Sequence, residues 1–240
     1  MNDRFRDTDP RRPVAIARVA DDRTVFSGHD TAGLAGNRVL ANTYRLLSMT
    51  LLFSAAVAGA SVALNMPHPG LLITLVGYFG LLFLTTRLRT SVWGLVSVFG
   101  LTGFMGYTLG PIIGHYLAMA NGTTIVGSAM AATGAAFVGL SIYARRADSP
   151  DMLRFGPFLT AGILVAFVLS LVAYFFAIPG LSLVLSGVFA LLMCGLILFE
   201  TQNIVRGGET NYIMATVTLF VSIYNLFVSL LHLIGFASDD

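Results

Sequence analysis

Residues 90–144 read TSVWGLVSVFGLTGFMGYTLGPIIGHYLAMANGTTIVGSAMAATGAAFVGLSIYA, 55 residues without one Asp, Glu, Lys or Arg. A helix needs about 20 apolar residues to cross the hydrocarbon of a bilayer. The stretch is long enough for two crossings, and Asn121-Gly122 near its middle supplies a turn between them. The same arrangement recurs on both sides. A charge-free stretch of 41 residues between Arg45 and Arg87 is broken by Asn65-Met66-Pro67-His68-Pro69-Gly70, and one of 45 between Arg154 and Glu200 by Ile178-Pro179-Gly180. Proline and glycine punctuate in this way because neither continues a helix cheaply. A last stretch of 29 residues, between Glu209 and Asp239, suffices for one crossing. The pattern predicts an all-α integral membrane protein of seven transmembrane helices, at about residues 45–64, 71–87, 92–118, 124–145, 154–177, 181–204 and 212–235.

Composition supports the same class. Hydrophobic residues make up 56% of the 240, and charged residues only 11%, against about 25% charged in a soluble domain. The small positive net charge of +2 is explained by topology and points to no nucleic-acid partner. All 14 basic residues are arginine. Eight lie at or before the start of the first helix, and the others fall between helices two and three, four and five, and six and seven. The other turns and the C-terminus hold none. The positive-inside rule therefore predicts a cytoplasmic N-terminus and a C-terminus on the outer side. Residues 1–42 are rich in Arg, Asp, Gly and Pro and lack the short apolar core of a cleaved signal. They read as a flexible cytoplasmic tail, too polar to bury a core alone, and the first span is expected to serve as the insertion signal. The lone Cys194 excludes an intrachain disulfide and reads as a small packing residue.

Three helices carry informative patterns. Gly103, Gly106, Gly110 and Gly114 with Pro111 on helix three form a small-residue surface, the kind against which a neighbouring membrane helix packs closely; Pro111 is expected to kink or open the helix locally. Ser182, Ser186, Ala190 and Cys194 on helix six read the same way. On helix seven, Ala215, Thr218, Ser222, Asn225, Ser229 and His232 follow a 3,4,3,4 spacing that puts them on one face. Lipid does not solvate such a stripe, so helix seven is expected to turn it inward, as interhelical glue or as the wall of a hydrated path. Glu200 is the one acid placed within a span. At that depth it should pair, protonate or face a cavity, with Arg87, Arg89 and Arg206 as candidate ion-pair partners. His29, His68, His115 and His232 are scattered and make no metal set; only His232, at the end of the stripe, is a candidate proton-sensitive group. No phosphate loop, HExxH or Ser/His/Asp set is present, so no catalytic residues and no cofactor are expected.

Several runs resemble the Bax inhibitor-one family of seven-helix membrane proteins, and within it the bacterial YccA-like branch. They are Asn42-Thr43-Tyr44-Arg45-Leu46-Leu47-Ser48, Gly94-Leu95-Val96-Ser97, Gly106-Tyr107-Thr108-Leu109-Gly110-Pro111, Phe199-Glu200-Thr201 through Gly207-Gly208-Glu209-Thr210-Asn211-Tyr212-Ile213, and Ser222-Ile223-Tyr224-Asn225-Leu226-Phe227 through Gly235-Phe236-Ala237-Ser238. The resemblance covers the chain after about Gly28. It implies a central helix seven in a bundle of six. Some bacterial relatives look like pH-sensitive calcium leak channels with an aspartate on helix six and another on helix seven; here those positions are Glu200 and Ser222, so the sequence keeps half of the pair. The branch itself implies a non-enzymatic inner-membrane modulator, and substrate, of the FtsH membrane protease and its associated membrane proteins, gripped by the N-terminal tail. A calcium or cation leak using Glu200, Ser222, Asn225 and His232 is the alternative, with Ca2+ as the transported ion.

Overall fold

The computed structural model describes residues 12–146 and 149–238, with side chains for all of these except residues 12–37 and 179. Seven α-helices follow one another: α1 (Arg12–Ala63), α2 (Leu71–Leu88), α3 (Val92–Leu117), α4 (Gly122–Ala144), α5 (Gly156–Phe175), α6 (Pro179–Val205) and α7 (Tyr212–Ser238). A single 3-10 turn, Met152–Phe155, precedes α5. Each helix contains a segment long and apolar enough to cross a membrane, and no strand occurs among the described residues. The first turn signal, Asn65 to Gly70, falls between α1 and α2, and the other two straddle helix starts, with Asn121 and Ile178 at the N-caps of α4 and α6 and Gly122, Pro179 and Gly180 in their first turns.

Helix α1 has 52 residues, about 78 Å at 1.5 Å per residue, against a hydrocarbon thickness of about 30 Å. Its spanning part is Arg38–Ala63. The backbone of residues 12–37 continues the same helix beyond it. Of the expected flexible tail, residues 1–42, residues 1–11 lie outside the described residues, as do the side chains of 12–37.

α7 lies inside the bundle, packed against α1, α3, α4 and α6. From Asn211 to Gly235 it presents no exposed residue, and Leu219, Phe220, Leu226 and Leu231 are almost wholly buried. The inward-facing helix seven expected from its polar stripe is thus observed. α2 and α5 are the outer helices. α2 rests on α3 and α5 on α6, while the Phe79 and Phe167 rings, 5.9 Å apart, join the two to each other. Their outward faces carry Leu72, Val76, Phe83, Phe158 and Leu164, as lipid contact requires.

The α1–α3 crossing is built on glycine. A methyl group on Gly106 would lie 2.4 Å from the Ser54 carbonyl oxygen, and one on Gly110 would strike the Ser61 side chain. Gly103 likewise faces Phe53, but no atom of another described helix lies within 4 Å of where a Cβ on Gly114 would sit. The close approach solves a problem that Pro111 creates. Proline has no N–H, so the carbonyl of Tyr107, four residues earlier, loses its helical partner. Ser61 Oγ donates to that carbonyl at 3.2 Å, and α3 runs unbroken through the proline. In hydrocarbon an unsatisfied carbonyl has no water to turn to. The small residue and the serine act together.

Candidate functional site

The site lies where the arginine-bearing ends of α1, α4 and α6 meet, and the α6–α7 connection fixes it. α6 ends in a Schellman turn: Gly207, at φ 77°, lets the Gly208 N–H reach the Asn203 carbonyl at 2.8 Å and the Gly207 N–H reach Ile204 at 3.1 Å. Asn211 then starts α7. Its Oδ1 accepts from the N–H groups of Ile213 and Met214 at 3.0 and 3.2 Å, and its Nδ2 donates to the Arg89 carbonyl at 2.9 Å, tying in the α2–α3 turn. On α6 itself Gln202 is buried and secures the α4–α5 connection. Its Oε1 accepts from Met152 N–H at 2.9 Å, and its Nε2 donates to Ser149 Oγ and the Pro150 carbonyl. The motif run from Phe199 to Ile213 is therefore mostly a set of caps and ties.

Glu200 is the member that this frame does not satisfy. It is 5% exposed, and its Oε1 has no hydrogen-bond partner. The arginines expected beside it are absent from it. Arg206 pairs with Asp151 at 2.6 Å, Arg154 joins the same carboxylate at 3.3 Å, and among the described residues no ion pair links Glu200 to Arg87, Arg89 or Arg206. Its electrostatic neighbours are Asn203, on the same helix, and Glu209. Four more buried oxygens at this end lack partners: Thr43 Oγ1 and Tyr44 OH on α1, Ser141 Oγ on α4, and Thr201 Oγ1 on α6. The Tyr44 ring meets Phe137 of α4 edge-on at 5.9 Å and lies beneath the Arg145 guanidinium at 4.9 Å, which binds α1 to α4 here.

An unpaired polar group in an apolar interior costs several kcal/mol, so five of them set this end of the bundle apart from the rest of its interior. All five atoms are oxygens, the donor type of water, protons and hard cations. A dehydrated calcium ion takes about six to eight oxygens, with carboxylates supplying the charge. A single carboxyl at this end, with hydroxyls as the other unpaired groups, fits water or a proton better than that ion. Among the described residues no group of three His, Cys, Asp or Glu is placed to hold a metal.

The helix-seven stripe is mostly satisfied within its own helix. Ser222 Oγ donates to the Thr218 carbonyl at 2.7 Å and Asn225 Nδ2 to Val221 at 2.8 Å. No bond brings Ser222 to Glu200. Ser222 stands about 15 Å into α7, whereas Glu200 stands about 8 Å from the end of α6. Three residues of α7 do reach across: Thr216 Oγ1 donates to the Thr43 carbonyl of α1 at 3.3 Å, Tyr224 OH meets Thr108 Oγ1 of α3 at 3.2 Å, and His232 Nδ1 meets Ser186 Oγ of α6 at 2.7 Å. Of the other histidines, His68 Nδ1 accepts from Gly70 N–H and His115 stacks edge-on with Tyr116, while the side chain of His29 lies outside the described residues. Sequence reading missed Thr43, Tyr44, Ser141 and Thr201 as members of the Glu200 centre. The signal available for Thr43 and Tyr44 was their place in the run that opens the first span.

Residues 36–239 match the family described as Inhibitor of apoptosis-promoting Bax1. The chain belongs to this family. Its relatives include the Modulator of FtsH protease YccA of Escherichia coli K12, 49% identical over 220 residues that cover 91% of this chain and 100% of that protein. The Inner membrane protein YccA of Escherichia coli O6:H1 matches over the same extent at 49%. An uncharacterized protein of Pseudomonas aeruginosa is 50% identical over 202 residues, 84% of this chain and 90% of that one. The resemblance read from the motif runs is thus to the right family and branch, and the seven-helix bundle is this family member's fold.

Proposed function

We propose that this chain is a non-enzymatic, multi-pass protein of the bacterial inner membrane that modulates an FtsH-type protease and is itself offered to it as a substrate. The observation that carries the reading is the 49% identity over the whole length of a protein named as such a modulator. The arginine distribution supports a cytoplasmic N-terminus and a periplasmic C-terminus. In this orientation the segment ahead of Arg38 is the grip for the protease, and the tied ends of α6 and α7 resist extraction. The partners are membrane lipid, the protease and the membrane proteins associated with it. The test is proteolysis of a membrane substrate by purified FtsH in proteoliposomes. Adding the full chain should slow degradation, deleting residues 1–37 should abolish the effect, and Glu200→Gln should leave it intact. No effect of the intact chain on the protease would sink the reading.

The unsatisfied oxygens around Glu200 favour a second reading, a proton-linked cation leak through that centre. It predicts pH-dependent flux from loaded liposomes that Glu200→Gln removes and that deletion of residues 1–37 spares. Flux indistinguishable from empty liposomes would eliminate it.

A further inference from the structure

At the end of the bundle away from the arginines, α5 and α7 part and leave a cavity of about 710 Å³ floored by α6. Such a volume is within the range of about 300–1,000 Å³ typical of small-molecule sites. Its walls are apolar at Ala173, Leu185, Phe189 and Val228, and polar at Ser170, Tyr174, Ser182, Ser186 and His232. No Asp, Glu or Arg lines it. A charged head would find no counter-ion there, and burying one unpaired is costly.

Among the polar groups, the Ser186–His232 pair joins α6 to α7 and brings an imidazole to the cavity wall. Ser186 has one hydroxyl proton and two short contacts, to the Ser182 carbonyl at 3.0 Å and to His232 Nδ1 at 2.7 Å. We assign the hydroxyl proton to the Ser182 carbonyl, so that the second contact is Nδ1–H donating to Ser186 Oγ. The imidazole is then the tautomer whose Nε2 carries a lone pair. That ring nitrogen asks its ligand for a donor, and a hydroxyl supplies one.

We infer that the α5–α6–α7 cavity binds an uncharged, hydroxyl-bearing amphiphile, with its chain against Leu185, Phe189 and Val228 and its hydroxyl donating to His232 Nε2. The chemical class is that of a monoacylglycerol or long-chain alcohol, held at the outer leaflet. The site is separate from Glu200, at the other end of the bundle, and does not depend on the protease or leak readings.

The experiment is photo-crosslinking of the full chain in nanodiscs with a diazirine-bearing monoacylglycerol, with sites located by mass spectrometry. Label is expected within residues 170–189 and 228–232. Unlabelled 1-oleoylglycerol should compete, while methyl oleate, which has the chain but no hydroxyl donor, should compete about tenfold less well, the ratio that follows from one lost hydrogen bond. His232→Phe, which keeps a ring of similar bulk, should lower labelling by about the same factor, with the melting temperature measured in parallel. Equal competition by methyl oleate would overturn the hydroxyl assignment without recourse to any variant. Preferential competition by a short-chain ubiquinone would assign the cavity to a carbonyl ligand instead and equally overturn it. Label spread evenly over the lipid-facing surfaces of α2 and α5 would overturn the site.

Discussion

Two glycine-to-alanine substitutions on α3, eight residues apart, should change stability in opposite directions. At most helical positions the change is favourable by about 0.5–1 kcal/mol, because alanine has less backbone freedom to lose than glycine. No atom of another described helix lies within 4 Å of a Cβ added at Gly114, so Gly114→Ala should show that gain alone. At Gly106 the methyl would lie 2.4 Å from the Ser54 carbonyl oxygen and 2.9 Å from its Oγ. The nearer obstacle is backbone and cannot rotate away. Restoring an ordinary carbon–oxygen separation of about 3.3 Å requires α1 to retreat by nearly 1 Å. A gap of that size forfeits about a quarter to a half of each dispersion contact along the crossing. It also stretches the Ser61 bond to the Tyr107 carbonyl, already 3.2 Å, which is of the kind worth about 0.6 kcal/mol between membrane helices. Overpacking typically costs about 1–3 kcal/mol, so Gly106→Ala should be net destabilising by about 0.5–2 kcal/mol after the helical gain is subtracted. Equilibrium unfolding in detergent micelles, followed by helicity, reads both variants on one scale. Values within about 0.5 kcal/mol of each other would refute the glycine-mediated α1–α3 contact.

Other expectations rest on single features. Ala177 ends α5 at φ 48°, a left-handed conformation that costs an L-residue about 1–2 kcal/mol; Ala177→Gly should raise the unfolding midpoint, by about 0.5–1 kcal/mol once glycine's greater unfolded-state entropy is subtracted. Asn211→Ala removes the cap of α7 and the bond to the Arg89 carbonyl; it should cost about 1–2 kcal/mol and speed hydrogen exchange at the Ile213 and Met214 amides first. Gln202→Leu strips the α4–α5 connection of its bonds to Met152, Ser149 and Pro150, so trypsin should cut faster after Arg146 and Arg154 than in the parent protein.

The spans were legible because membrane insertion is written in runs: a charge costs so much in hydrocarbon that its absence over 55 residues leaves one physical reading. The interior position of α7 was legible for a related reason, since its polar groups repeat at helical spacing. Gly114 shows where periodicity stops being informative. It continues the i+4 ladder of Gly106 and Gly110 faithfully, yet two helices that cross at an angle diverge, and only coordinates tell where the contact ends. The centre around Glu200 was half legible. An acid inside a span announces itself, but Thr43, Tyr44 and Ser141 come from helices far away in sequence and carry no local pattern. Arg206 was a reasonable partner by proximity in sequence; the α4–α5 connection brings Asp151 to it instead.

The α1–α3 crossing bears on the proposed function as well as on stability. α1 carries the arginine-rich segment beyond the bundle and is also clamped within it, by the Gly106 and Gly110 approach and by Thr216 Oγ1 of α7 against the Thr43 carbonyl at 3.3 Å. A protease pulling on the N-terminal segment would load this clamp before any other helix pair. Proteolysis of a transiently opened state follows the free energy of opening when reclosing is fast. A chain that holds against the pull occupies the protease and modulates it, whereas one that yields is consumed. On that logic Gly106→Ala should weaken the clamp and convert a slow substrate into a fast one, roughly tenfold for each 1.4 kcal/mol lost, without touching the grip itself. Degradation of the variant by FtsH at the parental rate, in a protein shown to be destabilised, would mean that the protease engages the chain elsewhere than through α1.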